Sequence, residues 1–190
     1  MNNEDYDIIV IGGSAGSIPI VSAILAGLQA EFSIPIVIVL HRQRNVVSEM
    51  AKIFEGKRMK VTEPEDKEAI LDKHVYLAPQ NYHLLVEKNK TFSLDYSEAV
   101  HFSRPSIDVT FESVSRVFEN KTLVVLLSGA NKDGSKGIEA VLSKNGKAIV
   151  QEPSTADYPL MVQSAIDHNN EAIVYTPIEI VNYISQIANR

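Results

Sequence analysis

The 190-residue chain contains no cysteine. That excludes disulfides, thiolate nucleophiles and cysteine-held metals, and it fits a reducing compartment. No apolar run approaches the roughly 18 residues needed to span a bilayer. The acidic start, MNNEDYD, lacks the basic region and apolar stretch of a secretory signal. Membrane insertion and export are therefore not expected, and cytoplasmic residence follows. Positive charge is also in short supply: 18 Lys and Arg stand against 24 Asp and Glu, so nothing global attracts nucleic acid. The five histidines do not cluster at metal-ligand spacing, so neither a metal nor a cofactor is expected. Repeats, low-complexity tracts and linkers are missing as well, and the length suits one well-buried domain over 1–190.

What is present is a series of short β-branched runs: residues 6–11 (YDIIVI), 34–40 (IPIVIVL), 122–127 (TLVVLL), 147–150 (KAIV) and 171–175 (EAIVY). Strands apolar on both faces belong inside a parallel sheet that is covered on two sides. Helical patterns lie between several of them, such as Ile18, Val21, Leu25 and Leu28, or Ile138, Val141 and Leu142 before Asn145-Gly146. This alternation predicts an α/β fold, a doubly wound, three-layer, Rossmann-like domain with a mostly parallel sheet. The middle of the chain reads differently. Residues 74–79, 82–88 and 91–96 are strand-like with short links, which predicts an antiparallel hairpin insertion at one edge of the sheet, turning at Asn89-Lys90.

In an open parallel sheet, ligands and reacting groups collect beyond the carboxyl ends of the strands. Three such ends are chemically unusual here. The first runs into Gly12-Gly13-Ser14-Ala15-Gly16-Ser17, the second into His41, and the run at 122–127 into Ser128-Gly129-Ala130-Asn131-Lys132-Asp133-Gly134. A serine hydroxyl needs an imidazole to take its proton, and a carboxylate on the far ring nitrogen fixes the tautomer and stabilises the imidazolium. Tight glycine turns let backbone N–H groups face a developing oxyanion. Ser14, His41 and Asp133 are therefore the catalytic candidates, with chain order no objection. Each also has a plainer reading. Ser14 or Ser17 suits a cap for the helix near Ile18, His41 an ordinary strand end, and Asp133-Gly134 a turn.

The stretch Gly12-x-Ser14-x-Gly16 matches the nucleophile elbow of α/β hydrolases, yet only one strand precedes it, which speaks against that fold. The same strand, glycine turn and helix suit a non-catalytic dinucleotide module, with Arg42 and Arg44 facing the extra phosphate of NADP. That nucleotide-binding module is the alternative reading of the Gly12 to Gly16 loop.

Taken in order, the segments IGGSAGS, VLHRQ, VYLAPQNYHLLV, SRPSIDVTFESV and LSGANKDGSKG resemble the catalytic domain of the CheB family, the bacterial chemotaxis receptor protein-glutamate methylesterases. The resemblance runs from Ile8 to about Ile166. It implies a carboxylic ester hydrolase that removes methyl esters from glutamyl side chains in the cytoplasmic helical region of chemoreceptors, with glutamine deamidation as a related activity. Ser14 is then the nucleophile, His41 the base and Asp133 its partner. The backbone N–H of Ala130, which stands where the family has methionine, and that of Ala15 are the oxyanion candidates. This chain departs from the family at Ala15, Ser17, Asn131 and Lys132, and loss of a glycine at 131 bears on how Asp133 is aimed. Arg42, Arg44, Arg104, Lys132 and Lys136 lie near the site in sequence and suit an acidic receptor helix. Ser106 is expected to cap a helix whose first turn holds Asp108, and His83 to be a strand residue, so these three stay outside the catalytic set. With the first strand starting near residue 6, no receiver domain is expected. Constitutive activity, a separate signalling partner and service in another chemosensory system all remain open.

Overall fold

All five continuous apolar runs become strands of one parallel sheet; the first four are buried on both faces, as their composition suggests, while the last forms an edge strand with Val174 exposed. The computed structural model describes residues 5–29, 32–42, 50–54 and 60–189. In chain order, β1 (Ile8–Gly13) leads into α1 (Ile18–Ala26), β2 (Ile36–Leu40), α2 (Met50–Phe54), β3 (Val61–Thr62) and β4 (Val75–Leu77). A hairpin follows, β5 (His83–Val86) and β6 (Phe92–Asp95), and then α3 (Ile107–Phe118) and β7 (Thr122–Leu126). The chain closes with α4 (Ser135–Ser143), β8 (Lys147–Gln151), α5 (Leu160–His168), β9 (Ile173–Tyr175) and α6 (Pro177–Ala188).

The seven-stranded sheet has the order β3-β4-β2-β1-β7-β8-β9, and every pairing in it is parallel. Because successive side chains point to opposite faces, the strands feed two cores. Ile9, Ile11, Ile36, Ile38, Leu123 and Val125 pack with Val21 and Ile24 of α1 and Ile180 and Ile184 of α6. Ile8, Val10, Val37, Val39, Val124 and Leu126 meet Ile107, Phe111 and Val114 of α3, Ile138 of α4 and Val162 of α5. One local signal holds as read: Ser106 caps α3, its hydroxyl accepting from the Val109 N–H. At the start of α6, Thr176 and Glu179 form a reciprocal capping box that the sequence reading did not single out.

The middle segment corrects the expected insertion at an edge. Residues 75–77 join the main sheet between β2 and β3, parallel to both. Among the described strands, β5 and β6 pair antiparallel and form a separate two-stranded sheet. It lies against α3, with the Thr110 hydroxyl donating to Leu84 O (2.8 Å) and Val86 N–H donating to the Ser113 hydroxyl (3.0 Å). Leu84, Val86 and Phe92 complete the same core as Phe111 and Phe118. The turn is centred one residue earlier than expected, since Lys90 N–H closes on Glu87 O (2.8 Å) and Lys90 takes the left-handed conformation.

The chain leaves β1 toward β2 on one side and returns to β7 on the other. A crevice opens at such a reversal, beyond the carboxyl ends of the strands. The ends of β1, β2 and β7 all face it.

Candidate active site

Register brings the first two candidates together. Gly13 pairs with Leu40 across β1 and β2, and one residue further the His41 N–H donates to Gly13 O (3.2 Å), so Ser14 and His41 leave adjacent strands side by side. Ser14 follows at the mouth of the loop, where its own N–H donates to Ser128 O (2.9 Å). That bond ties the β1 loop to the β7 loop. Gly129 comes close enough that an added Cβ would sit 3.1 Å from the Ser14 Cβ and 2.4 Å from Met161 Cε, so the serine is approached by bare backbone.

Ser17 departs from the capping role read for it. It stands at the start of α1 but makes no side-chain cap; its buried hydroxyl instead donates to Ser14 O at 2.6 Å. Gly16 between them is left-handed (φ 83°), and a side chain there would strike Asp157 and the Ser128 hydroxyl. The Ser14 loop is thus braced by its own neighbours.

Asp133 is fully buried, and His41 Nε2 lies 2.9 Å from its Oδ2. Three further donors converge on the carboxylate. The Ser106 hydroxyl (2.9 Å) and Asp108 N–H (2.9 Å) reach Oδ1, and Ile107 N–H (2.8 Å) reaches Oδ2. All three come from the first turn of α3, whose unsatisfied N–H groups and positive dipole end favour an anion. Burial alone would raise the Asp133 pKa, but the hydrogen bonds from His41 and from the Asp108 and Ile107 N–H groups outweigh it and hold the group below the usual carboxylate range.

Asp108 behaves in the opposite way. Its Oδ1 accepts from Gly134 N–H (2.9 Å) and Gly137 N–H (2.7 Å), which caps α4, whereas Oδ2 is buried without a hydrogen bond and meets only His101 Nε2 at 3.4 Å. Burial pushes its carboxyl above the usual range, the neighbouring Asp133 charge adds to this, and the Gly137 and Gly134 N–H groups and His101 only partly offset it.

The departure at Asn131 proves compatible with aim. Its Oδ1 accepts the Asp133 N–H (3.1 Å), an Asx turn that fixes the loop a glycine would otherwise shape. Gly129 N–H is taken by Tyr158 O (3.0 Å) and Ser14 N–H by Ser128 O, whereas the N–H groups of Ala15 and Ala130 make no backbone hydrogen bond among the described residues. The Ser14 hydroxyl makes no hydrogen bond among the described residues, His41 included; such contacts are often long before substrate arrives.

Other sequence candidates separate. Arg42 is turned inward, bonded to Glu63 Oε1 (2.7 Å) and to Ala78 O. Arg104 is held by Tyr96 O and Ser97 O and stacks over the Tyr96 ring. Arg44 lies outside the described residues. His83 is a strand residue as expected, but it is also buried, and its Nδ1 accepts the Ser106 N–H (3.1 Å). Ser106, Asp108 and His83 therefore belong to the support of Asp133. Only the capping of α3 was visible beforehand; nothing in the sequence said which carboxylate that helix end would receive.

A doubly wound domain that sets a serine beside a histidine bonded to a buried aspartate at its topological switch point has a layout suited to ester hydrolysis. The comparisons narrow this. Residues 9–184 match the CheB methylesterase family, and the chain belongs to that family. A Leptospira interrogans protein with the provisional name protein-glutamate methylesterase/protein-glutamine glutaminase is 49% identical over 164 residues, 86% of this chain and 85% of that one. The Thermotoga maritima protein-glutamate methylesterase/protein-glutamine glutaminase is 31% identical over 84% of this chain and 48% of its own length. The crystal structure of the Thermotoga maritima CheB methylesterase catalytic domain superposes with a TM-score of 0.88 at 29% identity, covering 96% of this chain and 99% of that one.

Proposed function

We propose that this chain hydrolyses γ-methyl esters of glutamyl side chains in methylated chemoreceptors, with glutamine deamidation as a second outcome of the same chemistry. The observation that carries the reading is the His41 Nε2 to Asp133 Oδ2 bond, 2.9 Å long, made beside Ser14 at the switch point. With Nε2–H donated to Asp133, the lone pair sits on His41 Nδ1. Nδ1 takes the Ser14 proton as the hydroxyl attacks the ester carbonyl. The oxyanion forms among the N–H groups of Ala130 and Ala15. Collapse expels methanol, which receives the proton from His41. Water then attacks the acyl-enzyme with His41 again as base, giving glutamate and free Ser14. Asp133 stays ionised throughout, held so by the first turn of α3.

The nucleotide alternative rests on Arg42 and Arg44 for a ribose phosphate; the Arg42 guanidinium is engaged by Glu63 and Ala78, and Arg44 lies outside the described residues. A fluorophosphonate probe tests the hydrolase reading. One adduct, mapped to the peptide carrying Ser14 and lost in Ser14→Ala, is expected; labelling that persists in Ser14→Ala contradicts it.

A further inference from the structure

Beside the triad lies a turn whose sequence does not suit its shape. Val100 and Ser103 exchange backbone N–H···O bonds (3.1 and 2.8 Å), and the two residues between them, His101 and Phe102, are both left-handed, with φ of 48° and 62°. Two-residue hairpin turns of this kind favour Asn-Gly, because other side chains crowd the backbone. A bulky aromatic at positive φ is an outlier that persists only where something else compensates. Burial does not compensate here, since Phe102 is 98% exposed.

The turn is rooted in the catalytic loop. Asn131 Nδ2 donates to His101 O (3.3 Å) and lies 3.4 Å from the Ser103 hydroxyl, while its Oδ1 holds the Asp133 N–H. Next to it is a cavity of about 370 Å³ whose wall includes His101, Lys132, Ser135 and Lys136. Among the described residues neither lysine pairs with a carboxylate. Asp167 also lines it but is bonded to Gln163, and His168 is paired with Glu139. Two free cations and a projecting aromatic thus share one rim of the site in a chain of net charge -6.

We propose that this rim is the docking surface for the substrate protein: Phe102 enters an apolar groove of the segment that carries the ester, and Lys132 and Lys136 meet its carboxylates. The inference rests on the esterase reading and adds what selects the substrate. The rim is tied to the catalytic loop through Asn131, and the unesterified glutamates of a segment that carries glutamyl esters present the complementary charge. Strain at Phe102 is then retained for contact rather than for stability.

The test compares kcat/KM on a methylated chemoreceptor with kcat/KM on p-nitrophenyl acetate, for the wild type, Phe102→Gly, Phe102→Leu and Lys136→Glu. The protein-to-small-ester ratio is expected to fall at least tenfold in Phe102→Gly and Lys136→Glu, through a higher KM for the receptor, and to recover in Phe102→Leu. Phe102→Gly should also raise Tm, by about 2–4 °C if relieving the strain is worth about 1 kcal/mol. Ratios within twofold of wild type overturn the docking surface while leaving the esterase intact. Hydrolysis of the small ester but of no protein-borne ester by the wild type overturns the esterase reading, and this inference with it. Binding of the wild type to vesicles rich in anionic lipid that is lost in Phe102→Gly, with receptor kinetics unchanged, assigns the rim to a membrane instead and also overturns it.

Discussion

Asp108 and Asp133 cap each other's helices. Asp133 lies two residues before α4 begins, yet its carboxylate receives the N–H groups at the start of α3, while Asp108, in the first turn of α3, accepts two N–H groups from the start of α4. The Asp108 N–H also donates directly to Asp133 Oδ1. The two helices are thereby locked to one another, and one of the two side chains, Asp133, also holds His41.

The Asp133 carboxylate accepts two donors on each oxygen, so Asp133→Asn must turn an amide N–H₂ toward N–H or O–H groups whichever way it flips. A loss of about 2–4 kcal/mol at pH 7 is expected, read from denaturant midpoints. The sign with pH follows from the depressed native pKa. This group's contribution is complete above its unfolded value, about 3.9, and is lost as pH falls through the lower native value. The gap between wild type and Asp133→Asn should therefore narrow below about pH 4; a gap that widens on acidification contradicts the capped-anion picture.

Asp108→Asn should act in the reverse sense. The amide oxygen keeps the Gly134 and Gly137 bonds, and the buried charge at the unbonded Oδ2 is removed. Because burial raises the native pKa, ionised Asp108 costs stability at neutral pH, and that cost fades as pH falls through the raised value. The variant should match or exceed the wild type at pH 7.5, by on the order of 1 kcal/mol at most, with the advantage shrinking toward pH 4. Thermal melts across that range decide it.

Ser17→Ala removes the hydroxyl that braces Ser14 O. A stability loss of about 1 kcal/mol is expected, together with a several-fold lower kcat at nearly constant KM, since the change loosens the nucleophile without touching a substrate surface. Steady-state kinetics on the small ester measure it. A selective rise in KM would mean that Ser17 contacts substrate instead.

Most of the frame was legible because parallel strands buried on both faces must be continuously apolar. The strand-end reading pointed to Ser14, His41 and Asp133, since chemistry in such sheets has one edge to occupy, and the His41–Asp133 contact is the part of it that the geometry makes directly. The losses have physical causes. Residues 74–79 were grouped with the hairpin because a three-residue buried strand has no periodicity to separate parallel from antiparallel pairing, and β3, two residues long, has still less. Ser17 looked like a cap because serine before a helix with an early proline usually is one. The support of Asp133 was hidden for a different reason: Ser106 and Asp108 stand 27 and 25 residues from it in the chain, and their local role as a helix start says nothing about the anion it receives.

The central claim is that Ser14 performs the chemistry with His41 and Asp133 as a unit. Methanol released from a methylated chemoreceptor under single-turnover conditions tests it most directly, comparing the wild type with Ser14→Ala and with the Ser14→Ala, His41→Ala double variant, each verified as folded. The account predicts a fall of about a thousandfold or more for Ser14→Ala and little further loss in the double variant, because groups acting together are not additive. Undiminished methanol release by Ser14→Ala would contradict it.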